Sequence, residues 1–123
     1  MHPLKIFYME DDNQLAELLD IRLRKLGYAV CGHADNAGSA VAAIQTSNPD
    51  IALLDIEMRG RNEGLAIGDY LLNNTDIPFV YMTSHDELTV LEQARRTVPD
   101  GFLLKPFDDR QLRVAVEMAL RRE

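Results

Sequence analysis

The chain has 123 residues, a length that suits one domain built on a single hydrophobic core. Its composition of 46% hydrophobic and 27% charged residues is typical of an ordinary globular protein. The formal net charge of −7 argues against direct binding of nucleic acid or of an anionic membrane, because both require a basic surface. A single cysteine, Cys31, excludes an internal disulfide and a multi-cysteine zinc site, and it suits a reducing cytosol.

Neither a secretory leader nor a membrane span is visible in the sequence. Lys5 and the acidic residues 10–12 interrupt the N-terminal apolar run early. No apolar stretch approaches the ~18 residues that a membrane helix requires. We therefore expect a cytoplasmic protein without membrane contact.

Strand and helix signals alternate along the first part of the chain. KIFYM at residues 5–9 reads as a strand, and leucines at helical spacing then predict a helix over 13–26, with Gly27 as its stop signal. A more mixed strand over 28–34 is expected at a sheet edge. An alanine-rich helix over 37–46 follows, with Asn36 as its cap.

The strongest strand signal is the stretch PDIALLDI at residues 49–56. A short apolar run between turn residues is typical of a strand that is buried on both faces of a sheet. It could also belong to a buried helix, but a length of about five residues favours a strand. Asp55 then lies at the carboxyl end of this strand, where open α/β sheets bind ligands. Taken alone, Asp55 could equally be the cap of the next helix.

The second part of the chain continues the alternation. A polar loop over 57–63 and a helix over 64–73 lead to a strand, FVYM, that ends at Thr83 and Ser84. Ser84 and Glu87 have the spacing of a capping box, which predicts a helix to about residue 97. The strand FLL over 102–104 ends at Lys105, and a last helix is expected over 108–121.

Five strand–helix units of this kind predict an α/β fold, with a parallel sheet, helices on both faces and right-handed crossovers. The common doubly wound order for five units is the flavodoxin-like 2-1-3-4-5. That order places the second and fifth strands at the two edges of the sheet.

The predicted strands bring reactive side chains to one rim of the sheet. The first ends at Glu10 and Asp11, the third at Asp55, the fourth at Thr83 and the fifth at Lys105. Two carboxylates ~4 Å apart repel by about 4 kcal/mol at an effective dielectric constant of ~20, so such a cluster favours a bound cation. Hard oxygen ligands suit Mg²⁺. With a carboxylate nucleophile, an ammonium and a hydroxyl, this set describes a phosphoryl-transfer site.

The same segments resemble the receiver domains of two-component response regulators. The likeness rests on Glu10-Asp11 after KIFYM, PDIALLDI around Asp55, YMTS up to Ser84 and GFLLKPF up to Phe107, in the family's order and spacing. It covers essentially the whole chain, so residues 1–123 are expected to form one receiver domain.

The resemblance implies that Asp55 accepts a phosphoryl group from a phosphohistidine of a sensor histidine kinase or a histidine phosphotransfer protein. It implies a Mg²⁺ site made by Glu10, Asp11, Asp55 and the backbone carbonyl of Glu57. Such a domain assists its own phosphorylation and dephosphorylation and is not an enzyme acting on other substrates.

The remaining roles concern the response to phosphorylation. Thr83 and Lys105 would contact the phosphoryl group, and Thr83 and Phe102 would be the switch positions. The Lys105-Pro106 peptide would be cis. Arg59 stands where the family often has proline, and the loop around it is one residue longer than usual, so the loop geometry departs from the common pattern.

Two partner surfaces are expected. A kinase-side helix should lie against the first helix, where the candidates are Asn13, Gln14, Leu15 and Leu18, although the two leucines are equally compatible with the core. A homodimer could form through the fourth helix, fifth strand and fifth helix, because this region carries charges of both signs, although such charges are equally typical of the solvated face of a helix. These charges are Arg95, Arg96, Asp108, Asp109, Arg113 and Glu117.

Other interpretations stay open at this point. An aspartyl-phosphate hydrolase would also use a strand-end aspartate, with Glu57 as the acid–base, but the chain is too short for a cap domain. A flavin- or nucleotide-binding module would need a glycine-rich turn where this chain has acidic residues. A receiver fold could serve as a constitutive docking module. The acidic residues 10–12 could simply favour a helix N-terminus, and Asp12 is expected to be a cap and not a ligand.

Overall fold

A computed structural model of the chain describes residues 2–58, 60–84 and 88–121. Strands and helices alternate through these residues in the predicted order. The strands are β1 (Lys5–Met9), β2 (Ala29–Ala34), β3 (Ile51–Asp55), β4 (Phe79–Thr83) and β5 (Gly101–Leu104). The helices are α1 (Asn13–Lys25), α2 (Ala37–Ser47), α3 (Glu63–Asn74), α4 (Leu88–Arg95) and α5 (Asp109–Ala119). All strand pairs are parallel, in the order β2-β1-β3-β4-β5, which confirms the predicted fold.

The central strand β3 is buried along its whole length, as its apolar sequence predicts. Because side chains alternate across a strand, it contributes to both layers of the core. Ala52 and Leu54 pack in the layer that contains residues of α2 and α3, whereas Ile51 and Leu53 pack in the layer that contains residues of α1 and α5. Asp55 pairs in register with Met82 at the end of the strand. The sheet therefore holds Asp55 rigidly at its carboxyl rim.

Local side-chain hydrogen bonds fix where several helices begin. The Asp12 carboxylate accepts from the first amides of α1, as expected of a cap, and Asn36 does the same for α2. Asp108 and Gln111 form a capping box at α5, with two hydrogen bonds of 2.8 Å. The capping box predicted for Ser84 and Glu87 lies outside the described residues.

Two further aspartates hold the amino ends of strands at the rim opposite Asp55. The Asp50 carboxylate accepts from the backbone N–H of Lys5 at 2.8 Å, where β1 begins. The Asp100 carboxylate accepts from the backbone N–H of Phe79 at 2.9 Å, where β4 begins. Each aspartate stands just before a neighbouring strand, so each joins the starts of two adjacent strands.

Some boundaries and burial differ from the sequence-based expectation. The helix predicted to reach residue 97 ends at Arg95, because the amides of Thr97 and Val98 bond to carbonyls three residues back in a tighter turn. Leu15 and Leu18 are 46% and 51% exposed, so they do not belong to the core. Among the described residues, no helix has the length and apolar character that crossing a membrane requires.

Candidate functional site

The structure brings Glu10, Asp55 and Lys105 together at the carboxyl rim of the sheet. Glu10 directly follows β1, Asp55 ends β3, and Lys105 follows β5. The Lys105 ammonium donates hydrogen bonds to Glu10 Oε1 and to Asp55 Oδ2, each at 2.8 Å. Both carboxylates are buried, with exposed fractions of 6% and 7%. One cation thus joins three strands that are separated in sequence but adjacent or near in the sheet.

Burial dominates the electrostatics of Asp55. It raises the pKa of this carboxyl to about 6, and the nearby Glu10 carboxylate adds to the effect, although Lys105 acts in the opposite direction. For Lys105, burial alone would lower the pKa, but the hydrogen bonds to Asp55 and Glu10 raise it above its usual value. At pH 7 the site therefore contains an ammonium and a mostly ionised, poorly solvated Asp55.

The carboxylate cluster fits a small divalent cation. Glu10, Asp11 and Asp55 each offer an oxygen, and these oxygens lie within 4.8 Å of one another. Among the described residues of this cluster, one ammonium faces three carboxylates, so negative charge is in excess. Oxygen donors of this kind suit Mg²⁺, which keeps part of its water shell when bound. Glu57 is exposed, and its carboxylate is not among the three that converge.

Thr83 and Phe102 lie on the two strands beyond Asp55. Thr83 ends β4 and is buried, one residue beyond the partner of Asp55 in the register. Its carbonyl accepts the backbone N–H of Lys105 at 2.8 Å, which attaches the end of β5 to β4. Phe102 is 39% exposed on the edge strand, with its ring centroid 5.9 Å from that of Tyr81.

Gly64 supports the site in a way that the sequence did not indicate. A Cβ at this position would lie 2.0 Å from the carbonyl oxygen of Asp55, so a side chain cannot be accommodated without movement. The Gly64 N–H donates to the carbonyl of Ile56 at 2.9 Å. The start of α3 is therefore packed directly against the backbone that carries Asp55. The sequence shows only a glycine at the start of a predicted helix, which does not by itself indicate this contact.

Arg22 contacts the segment that follows Lys105, and the sequence analysis did not predict this contact. Its Nε donates to Asp109 Oδ1 and its Nη2 donates to the Phe107 carbonyl, both at 2.7 Å. Its guanidinium carbon also lies 4.9 Å from the centroid of the Phe107 ring. In sequence Arg22 is one of several charges on an amphipathic helix, so nothing distinguished it.

An apolar groove of about 390 Å³ opens beside the carboxylate cluster, between α1 and the segment after β5. Leu15 and Leu18 of α1 line it together with Lys105, Pro106 and Phe107. The predicted kinase-side candidates on α1 therefore border this groove. The exposure of the two leucines follows from their position on its wall.

Four of the six charges expected at a dimer contact also interact within the chain, among them Asp108, which caps α5. Asp109 pairs with Arg22, Glu117 accepts from the Tyr28 hydroxyl at 3.0 Å, and Arg113 donates to a carbonyl of α1's end at 3.4 Å. Exposed apolar residues also lie on β5 and α5, beside Arg110 and Gln111. These apolar residues are Phe102, Leu104, Val114 and Met118.

Residues 6–117 match the family model described as the response regulator receiver domain. The chain belongs to this family. KdpE, a transcriptional regulatory protein of Staphylococcus aureus, is 32% identical over 117 residues, which cover 95% of this receiver domain and 50% of KdpE. PdtaR, a transcriptional regulatory protein of Mycobacterium tuberculosis, is 28% identical over 120 residues, with coverages of 98% and 58%. The chain spans about half the length of these curated relatives.

Solved structures show the same relationship. The signal receiver domain of a modulated diguanylate cyclase from Desulfovibrio desulfuricans superposes with a TM-score of 0.89 at 33% identity, covering 97% of this chain and 94% of that one. The N-terminal domain of a response regulator/sensory box/GGDEF protein from Carboxydothermus hydrogenoformans gives a TM-score of 0.83 at 31% identity, with coverages of 95% and 94%. The receiver fold is thus shared along almost the whole chain.

Proposed function

We propose that residues 1–123 form one receiver domain that accepts a phosphoryl group on Asp55 from a phosphohistidine. The donor would be a sensor histidine kinase or a histidine phosphotransfer protein, and the exchange would take place in the cytosol. The observation that carries the proposal is the position of Asp55. It is a buried carboxylate at the carboxyl end of the central strand, bonded to Lys105 and flanked by the carboxylates of Glu10 and Asp11.

In the proposed reaction an Asp55 oxygen attacks phosphorus in line, the P–N bond to the donor imidazole breaks, and the imidazole nitrogen keeps the bonding electrons and gains a proton. Lys105 would place its positive charge beside the phosphoryl oxygens. Glu10, Asp11, Asp55 and the Glu57 carbonyl would hold Mg²⁺, which when bound neutralises charge on the phosphoryl group. Lys105 and the Mg²⁺ ligands would thus position the phosphoryl group and stabilise its negative charge.

Phosphorylation adds about −1.5 to −2 charges at neutral pH. Thr83 would contact the new group through its hydroxyl and draw the following loop inward, while Phe102 would respond on β5. This change biases an equilibrium between two conformations and does not create a new fold. Thr83 and Phe102 are therefore proposed as the switch residues.

The test is labelling with a small phosphodonor in the presence of Mg²⁺. The parent should gain one phosphoryl group per chain, and Asp55→Asn should abolish the gain, as measured by intact mass. Asp50→Asn is the matched control, since Asp50 precedes the same strand at its other end and should leave labelling unchanged. Labelling of Asp55→Asn at full stoichiometry would contradict the assignment.

A hydrolase is the competing function, and the same experiment separates it from a phosphoacceptor. A hydrolase would turn over many phosphodonor molecules, with Glu57 as the acid–base. The Glu57 side chain is exposed to solvent and is not among the three converging carboxylates. We expect a stoichiometric gain of mass and little release of inorganic phosphate beyond decay of the label.

The donor helix is proposed to dock in the groove beside α1. Its occupant must carry the phosphohistidine over Asp55, and the groove leads to Lys105 and Glu10. Exposed Leu15 and Leu18 would give an amphipathic helix an apolar contact at that place. A homodimer through α4, β5 and α5 stays a proposal, now based on the apolar residues Phe102, Leu104, Val114 and Met118.

A further inference from the structure

Lys105 is attached firmly to the sheet on one side only. Its backbone N–H bonds to the Thr83 carbonyl, which fixes the end of β5. The next residue, Pro106, has no N–H and cannot extend the ladder. The segment 105–108 then turns away until the capping box of Asp108 and Gln111 begins α5. The direction in which Lys105 leaves the sheet thus depends on the contacts of this segment with its neighbours, among them the packing of Phe107 against the core layer that contains residues of α1 and α5.

Arg22, in the third turn of α1, contacts this segment from outside the sheet. Its guanidinium bonds to the carbonyl of Phe107, two residues after Lys105, and to the carboxylate of Asp109 at the start of α5. The Phe107 ring lies against the guanidinium as well. Two hydrogen bonds in fixed directions and a ring contact define both the distance and the orientation of the segment relative to α1.

We propose that Arg22 is a positioning residue for Lys105, which holds segment 105–108 against α1 so that the Lys105 ammonium reaches both Asp55 and Glu10. The inference rests on the proposed function in one respect, since its consequence for rate assumes phosphoryl transfer to Asp55. The position of the ammonium itself is independent of that assumption.

The arrangement explains why this arginine differs from its neighbour on the same helix. Arg24 also forms an ion pair, but its partner is Asp20, one turn earlier in α1, so the bond stays within the helix. The Arg22 contacts cross to a different part of the chain, 85 and 87 residues away. Arg24 is therefore a matched control that removes a charge from α1 without releasing segment 105–108.

The first experiment measures the position of Lys105 without any phosphoryl chemistry. The parent and the variants are treated with a limiting amount of an amine-acylating reagent, and modification of Lys105 is quantified by peptide mass spectrometry. Bonded to two carboxylates, Lys105 should react slowly in the parent. Arg22→Gln should increase its modification several-fold, Arg22→Lys should do so less, and Arg24→Gln should leave it unchanged.

The second experiment measures the consequence for phosphorylation. A displacement of about 1 Å at a reacting group can cost up to 10²-fold in rate, and the flexible lysine side chain recovers part of that. We expect Arg22→Gln to slow labelling by a small phosphodonor about tenfold at saturating Mg²⁺, a condition under which a change in Mg²⁺ affinity caused by the release of Lys105 from Glu10 and Asp55 does not limit the rate. In a Lys105→Ala background the same substitution should have no further effect.

These results separate positioning from general stabilisation. A reduced rate that persists by the same factor in the Lys105→Ala background would overturn the inference, as would unchanged Lys105 modification in Arg22→Gln. If the parent takes no label at Asp55, the proposed function fails, while Lys105 modification still decides the role of Arg22. Should Arg22→Gln not fold, Arg22→Lys carries both measurements, and modification equal to the parent's would overturn the inference.

Discussion

At the scale of single residues, Lys105 offsets the repulsion between buried carboxylates. Lys105→Met preserves most of the side-chain volume but leaves Glu10 and Asp55 without their hydrogen-bonded cation. Removing one partner of a buried ion pair costs about 3–5 kcal/mol. Because the Lys105 side chain is 21% exposed, we expect the lower end of that range, about 3 kcal/mol, in the free energy of unfolding from urea denaturation at pH 7.

Lys25→Met serves as the comparison for that loss. The Lys25 side chain is 75% exposed and lies 3.9 Å from Asp109, so its removal should change the free energy of unfolding very little. Mg²⁺ should restore part of the stability of Lys105→Met by binding the uncompensated carboxylates. Equal losses of unfolding free energy in Lys105→Met and Lys25→Met would show that Lys105 does not stabilise the carboxylates of Glu10 and Asp55.

Gly64 gives a second prediction at this scale. In Gly64→Ala the new methyl group would meet the carbonyl oxygen of Asp55 at 2.0 Å, and backbone cannot move aside as a side chain can. We expect a loss of more than about 2 kcal/mol in the free energy of unfolding, since overpacking of a tight contact costs typically 1–3 kcal/mol. Gly101→Ala is the control, because a methyl there would be 3.7 Å from Val80, an ordinary contact. Thermal unfolding followed by circular dichroism compares the two variants.

At the scale of elements, the Arg22–Asp109 pair joins α1 to α5 and makes part of the stability depend on pH. The hydrogen bond from Arg22 lowers the pKa of Asp109 in the folded state. The carboxylate is therefore bound more favourably in the folded chain, and its contribution is present above the usual aspartate pKa. It is lost as the pH falls through the folded-state pKa.

Asp109→Asn should accordingly be less stable than the parent at neutral pH, and the difference should shrink as the medium is acidified below about pH 4. Denaturation curves of both proteins at matched pH values measure this difference. Asp108→Asn keeps a side-chain acceptor at the α5 cap and leaves the Arg22–Asp109 pair in place. If the difference in free energy of unfolding between the parent and Asp109→Asn were constant from neutral to acid pH, the charge of Asp109 would not contribute to the contact between α1 and α5.

Most elements were predictable from sequence because their signals are local. The apolar run of β3 and the caps at Asp12 and Asn36 depend on nearby residues alone, and they gave the correct elements. The charges on α5 show where local signals end. The helical periodicity of apolar residues identifies which side chains of a helix face away from the sheet. It does not indicate which of these side chains contact a neighbouring helix. Asp109 and Glu117 were therefore candidates for an intermolecular surface, and the sequence did not indicate their contacts within the chain.

The candidate site was predictable to the same extent and for a related reason. In a parallel sheet every strand end at one rim is a candidate, so Glu10, Asp55 and Lys105 could be expected to meet. The contacts of Arg22 depend on how far α1 lies from segment 105–108. That distance is set by the packing of several side chains between the layers, and no spacing in the sequence records it.

At the scale of the whole molecule, Mg²⁺ should stabilise the folded domain, because folding brings the Asp55 carboxylate to those of Glu10 and Asp11. The melting temperature should rise with Mg²⁺ concentration. Asp11→Asn should weaken that rise, and without metal it should be at least as stable as the parent because one repelling charge is gone. Scanning calorimetry with and without Mg²⁺ measures both effects. A strongly destabilised metal-free Asp11→Asn with an unchanged Mg²⁺ response would assign Asp11 a structural role instead.

Self-association is the second property of the whole molecule that can be tested. If the apolar residues of β5 and α5 form a dimer contact, sedimentation should show a larger mass in the presence of a phosphoryl mimic such as beryllofluoride. Leu104→Glu should prevent it, because a carboxylate cannot be buried there without a partner. Ile21→Glu, which replaces an equally exposed residue of α1, should not. A monomeric parent at high concentration in both states would reject the dimer and leave the phosphoacceptor proposal intact.

Asp50 and Asp100, which bind the starts of two strands, bear on how the sequence of such a domain can evolve. They bind backbone at one end of the sheet, whereas the reactive groups lie at the other end. Substitutions at the strand starts can thus change the free energy of unfolding without touching the groups proposed to accept the phosphoryl group. Substitutions at one end of the sheet can therefore change the stability of the domain with little effect on the phosphoryl chemistry proposed at the other end, since distant sites contribute nearly additively.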